Sequence, residues 1–165
     1  MKYRMYFFVP YNISDIQKGI QSGHAALEYV KLYGWIREYK DFIENSKTWI
    51  ILNGGTTNSS IENFGTLDEI QSQLITNRIT YTNFFEPDLN NALTALCFIA
   101  DERVWDYENY PDYDSDVYEK SWVMRTGAMM AMQIEPKAVY QQWVDFVGGE
   151  KNVFLRFLIR DKRLA

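Results

Sequence analysis

Two short stretches hold most of the side chains that could do chemistry. Lys18, Gln21 and His24 fall in one, and Asp88, Asn91 and Thr94 in the other. A carboxylate such as Asp88 can orient or deprotonate a water. A lysine near a helix start, as Lys18 would be, can hold a phosphate or a developing oxyanion beside the helix N–H groups. Thr94 and Asn91 can supply hydrogen bonds. Each residue also has a plain structural reading. Asp88 follows Pro87 and suits a turn. Lys18 suits a solvent-facing helix surface, and His24 a hydrogen-bonded structural role one turn from Gln21.

Elements must carry these residues to one place. Residues 3–10 (YRMYFFVP) read as a buried strand. Ser14 with Gln17 forms a capping box, so a helix starts at Asp15. Its apolar stripe is Ile16, Ile20, Gly23, Leu27 and Val30, and Gly34 ends it. A second helix covers 35–44 with Ile36, Tyr39 and Ile43 inward. Residues 48–52 form a second strand, and Thr66 with Glu69 caps a third helix. Strands follow at 79–85 and 93–100, joined by a turn at Pro87, Asp88, Asn90 and Asn91. The run LTALCFIA predicts a strand covered on both faces. The order is β-α-α-β-α-β-β. The strand-helix-strand crossings predict parallel neighbours and the short turn an antiparallel hairpin. The fold class is α/β: a four-stranded mixed sheet covered by helices, with a helical carboxyl-terminal extension. The site would lie at the carboxyl ends of the strands, with Lys18, Asp88, Asn91 and Thr94 around one pocket and Gln21 and His24 lining it.

Composition narrows the classes. The chain has 165 residues, 47% apolar and 16% aromatic, enough for one domain with a real core. No run approaches the roughly 20 apolar residues of a membrane span. The first ten residues lack the pattern of a signal peptide. One cysteine, Cys97, excludes an internal disulfide, so a reducing, cytoplasmic setting is expected. One histidine and one cysteine cannot build a zinc site of the usual kind. No metal or cofactor is expected. Gly54-Gly55-Thr56-Thr57 lacks a P-loop's spacing and lysine, and reads as a connector or a phosphate-touching loop. Net charge is −5, against broad non-specific binding of nucleic acid.

Charge is unevenly distributed. Residues 101–119 hold eight acids and one base, and residues 151–165 five bases and one acid. Helices are predicted at 117–123, 137–147 and 152–164. In the last, Arg156, Arg160 and Arg163 share a face, either a solvated helix back or a stripe for phosphates or an acidic partner. Three of the five tryptophans, Trp105, Trp122 and Trp143, lie beyond residue 100. That is too much aromatic area to leave in water. The extension, residues 101–165, is therefore expected to pack on the core of residues 1–100, with Trp143, Phe146 and Phe157 inward and the three arginines outward.

Three features carry a family resemblance. Gln17 to Ala26 (QKGIQSGHAA) holds a lysine, a glutamine and a His-Ala-Ala, the element order is β-α-α-β-α-β-β, and Glu86 to Ala95 (EPDLNNALTA) holds an aspartate loop and a strand threonine. The chain thereby resembles the peptidyl-tRNA hydrolases of archaea and eukaryotes, over residues 3–100. With its extension it is similar to compact versions encoded by bacterial viruses. The resemblance implies hydrolysis or binding of a tRNA-linked ester, catalytic roles for Lys18, Asp88, Asn91 and Thr94, substrate contacts from Gln21 and His24, tRNA as a partner and a homodimer. Alternatives from other classes stay open. One is a non-catalytic module of this fold that engages a host or partner protein through residues 101–165. Another is a hydrolase of a nucleotide-like or acyl substrate.

Overall fold

A computed structural model describes residues 1–57, 65–114, 116 and 136–165. Strands β1 (Tyr3–Pro10), β2 (Thr48–Gly55), β3 (Tyr81–Glu86) and β4 (Ala92–Asp101) form one mixed sheet, ordered β2-β1-β4-β3. The described helices are α1 (Asp15–Tyr33), α2 (Arg37–Asn45), α3 (Thr66–Thr76), α4 (Glu102–Trp105), α5 (Pro136–Phe146) and α6 (Glu150–Arg160). A 3-10 turn, Pro87–Leu89, lies between β3 and β4. The α/β class, the mixed four-stranded sheet and the element order are those expected.

One expectation about neighbours is corrected. β1 runs parallel to β2, and β4 runs antiparallel to both β1 and β3. β3 therefore points the same way as β2 but occupies the opposite edge. The apolar β4 takes the place beside β1, where both of its faces are covered.

The chain divides into two compact units: Met1–Glu102 with Phe157–Ala165, and Arg103–Arg156. In the first, strand alternation sends Met5, Phe7 and Val9 of β1, with Ala95 and Cys97 of β4, against Ala25, Ala26, Tyr29 and Phe42 of α1 and α2. The other face carries Tyr6, Phe8 and Phe98, whose rings are in contact. There α3 buries Leu67, Ile70 and Leu74.

Local chemistry explains the ends. Ser14 Oγ accepts from the Gln17 amide, and Gln17 Oε1 accepts from the Ser14 amide, the expected capping box. For α3 the cap is Gly65, not Thr66, and Asp68 rather than Glu69 accepts the Gly65 N–H at 3.0 Å. Thr66 Oγ1 is occupied elsewhere, donating to the Gly54 carbonyl and accepting from the Thr56 amide. A Cβ at Gly55, which has φ of +85°, would collide with that hydroxyl.

Two helix faces and one helix end differ from the expectation. In α1 the buried residues are Gln21, Ser22, Ala25, Ala26 and Tyr29, while Ile16, Ile20, Leu27 and Val30 are exposed. Small side chains let the helix backbone approach a sheet face already filled by Met5, Phe7 and Val9. In α2 the buried residue is Phe42, and Ile43 is exposed. The last helix stops at Arg160. Beyond it the Asn53 amide donates to the Arg163 carbonyl, the Ala165 amide donates to the Ile51 carbonyl, and Leu164 bridges to Leu52.

The second unit gathers Trp143, Val144, Val147 and Val153 with Tyr110 and Tyr113. Trp143 is buried within this unit, and its indole N–H donates to the Pro111 carbonyl at 3.0 Å. Phe146 and Phe157, expected inward, are exposed. The helix expected at 117–123, with Trp122, lies outside the described residues. Among the described residues no helix is long and apolar enough to cross a membrane.

Candidate functional site

The antiparallel pairing of β3 with β4 runs Phe84 to Ala95 and then Phe85 to Leu93, skipping Thr94. Such a bulge turns one side chain out of the alternating pattern. Here the skipped residue is the threonine of interest, and its hydroxyl meets α1. Thr94 Oγ1 donates to Gln21 Oε1 at 2.7 Å and lies 3.3 Å from the Phe84 carbonyl. Gln21 Nε2 in turn donates to Glu86 Oε2 at 2.6 Å. Thr94 is 0% exposed and Gln21 6%, so these bonds are made out of water. Losing one partner would strand a buried polar group at about 1–3 kcal/mol.

Glu86 ends β3 and sits half-buried between this network and the turn. Its other oxygen, Oε1, is 3.5 Å from the Asp88 amide, a long contact. The turn itself, Pro87 to Asn91, is exposed. Asn90 and Asn91 both have φ of 54°, a left-handed conformation that asparagine tolerates and that reverses the chain into β4.

The expected residues thus fall into four groups. Gln21 and Thr94 are bonded directly. His24, one turn on, stacks on Phe84 with ring centroids 4.4 Å apart, and so borders the same strand. Asp88 and Asn91 lie on the exposed turn. Lys18 is committed to Asp15, with Nζ 3.0 Å from the carboxylate, and its carbonyl accepts from Ser22 Oγ. Glu86 was missed by sequence reasoning. The signal was its place immediately before Pro87, at the strand end.

An apolar concavity lies beside α1, toward α2 and β2. It measures about 460 Å³ and is lined by Ile20, Leu27 and Val30 of α1, with His24, Ile43 and Trp49. The exposed stripe of α1 is therefore one wall of an apolar groove.

The arginine stripe is not formed. Arg156, expected outward, is 2% exposed. Its guanidinium donates to the carbonyls of Arg103 and Tyr110 and to Asp112, at 3.0 Å for the last, and covers the Tyr107 ring at 4.5 Å. A planar guanidinium can be buried when its donors meet this many acceptors. Arg160 is exposed and lies over the exposed Phe157 ring, and Arg163 lies past the helix end. Gly54 and Gly55 end β2 where Thr66 and Leu67 approach closely, which accounts for both glycines without a phosphate.

Burial is the largest cause of the two large proton-affinity shifts. The Cys97 thiol and the Tyr29 phenol are both raised well above their ordinary values, and Cys97 and Glu38 nearby add to the effect at Tyr29. Both are core groups, inert as nucleophiles. No protein-family model matches the chain, and no curated protein matches it.

Proposed function

We propose that this chain is a peptidyl-tRNA-hydrolase-like protein that acts on a tRNA-linked ester. What supports the reading most is the buried Thr94–Gln21–Glu86 chain of hydrogen bonds. It ties together the helix segment and the strand-end segment that carry the family resemblance. It sits beside an exposed turn at a strand end, where a ligand can reach it. Such a network holds side chains in one orientation, which ester hydrolysis requires of its water and oxyanion partners.

The test is incubation of the purified full chain with an N-acylated aminoacyl-tRNA, scoring release of the acyl amino acid. Turnover that falls about 100-fold in Thr94→Val is the expected result. A folded chain with no turnover would sink the reading.

A second reading is a non-catalytic module of the same fold that engages a protein through residues 101–165. One observation favours it. Burial of Arg156 removes the three-arginine stripe that phosphates would need, in a chain of net charge −5. Absence of both turnover and salt-sensitive tRNA binding would point to it.

A further inference from the structure

We infer that Glu86, rather than Asp88, takes the proton of the attacking water. This rests on the ester-hydrolase reading above.

A general base works when its basic atom is held in place and open to water. Glu86 meets both conditions. Oε2 is pinned by Gln21 Nε2 at 2.6 Å, and Gln21 is pinned by Thr94. Among the described residues Oε1 has only the 3.5 Å contact with the Asp88 amide, so it retains room for a water. The residue is half-buried, at the lip between the closed network and the exposed turn. Asp88 meets only the second condition. It is exposed, and among the described residues its carboxylate accepts no hydrogen bond, so nothing orients it. A base that must first be ordered from solvent loses much of its advantage of position.

The step balances as follows. Water oxygen bonds to the acyl carbon while its proton passes to Glu86 Oε1, and the carbonyl electron pair moves to oxygen. The tetrahedral intermediate then re-forms the carbonyl and breaks the bond to the ribose oxygen. That oxygen takes the proton from Glu86, which leaves a free acid, a free hydroxyl and the carboxylate restored.

The experiment compares steady-state hydrolysis of an N-acylated aminoacyl-tRNA by the full chain and by Glu86→Gln, Glu86→Asp and Asp88→Asn. Glutamine keeps an oxygen for the Gln21 N–H but cannot accept a proton. Expected for Glu86→Gln is a fall in kcat of about 100-fold or more with little change in KM, and loss of the acid limb of the pH–rate profile. Glu86→Asp, which also serves if the glutamine variant folds poorly, should lower kcat but keep the acid limb. Asp88→Asn should cost less than about tenfold. A Glu86→Gln chain within about threefold of wild type, or an Asp88→Asn loss as large as that of Glu86→Gln, overturns the assignment while the hydrolase reading stands. No turnover by the wild-type chain overturns both.

Discussion

Helices α1 and α6 each bury residues that the usual rule would turn outward, for different reasons. Helix α1 buries Gln21, Ser22, Ala25 and Ala26 and exposes Ile16 and Leu27 at 78% and 67%. Helix α6 buries Arg156 and exposes Phe157 at 66%. In α1 the constraint is space. The sheet face beneath it is filled by Met5, Phe7 and Val9, and the small Ser22, Ala25 and Ala26, with one satisfied glutamine, let the helix close on it. In α6 the constraint is hydrogen bonding. Carbonyls of Arg103 and Tyr110 and the carboxylate of Asp112 need donors, and Arg156 supplies them. Hydrophobic periodicity measures greasiness, and neither constraint is about greasiness.

The comparison can be broken by substitution. The largest stability effect is expected at Arg156. Arg156→Ala should cost about 3 kcal/mol in urea unfolding, because it strands two carbonyls and opens a void. A loss below about 1 kcal/mol would mean that the arginine is buried without consequence. Next comes the sheet-facing side of α1. Ala25→Leu adds volume where exposure is 0% and should cost about 1–3 kcal/mol by the same measurement. On the opposite side, Leu27→Ser should change stability by no more than about 0.5 kcal/mol. If Leu27→Ser proved the worse of the two, the packing account of α1 would fail.

The smallest effect concerns pH. Tyr29 and Cys97 are neutral when protonated, and burial raises both above their ordinary values of 10.0 and 9.0. Their contribution to stability is therefore complete below those values. It is lost as pH rises beyond them, when the unfolded chain releases protons that the folded chain keeps. Unfolding midpoints should be flat with respect to these two groups below pH 9.0 and fall above it. Tyr29→Phe should soften the fall, as a series of midpoints against pH would reveal. Alkylation of Cys97 in the folded chain should be slow and should accelerate on unfolding.

Much of the fold was legible. The capping box at Ser14, the aromatic and apolar run YRMYFFVP and the run LTALCFIA each report a local preference, and local preference places elements within a few residues. The candidate site was legible in part. Gln21 and Thr94 were singled out, and they touch. Glu86 was overlooked because its partner lies 65 residues away in sequence. Lys18 reads as a free cation only until Asp15, three residues earlier, is seen to hold it.

The sequence by itself determined which segments of residues 1–100 are strands and helices, to within a few residues, and that four strands make a mixed sheet. Hydrophobic periodicity, caps and turn residues are enough for that, because they act over neighbouring residues. Only the tertiary structure decided that β3 lies at the edge opposite β2, and that a skipped Thr94 turns toward α1. It also decided that an arginine goes in while a phenylalanine stays out. Those outcomes depend on which surfaces and carbonyls meet across long stretches of chain. A residue's type states what it can bond to, and the fold decides what is there to bond.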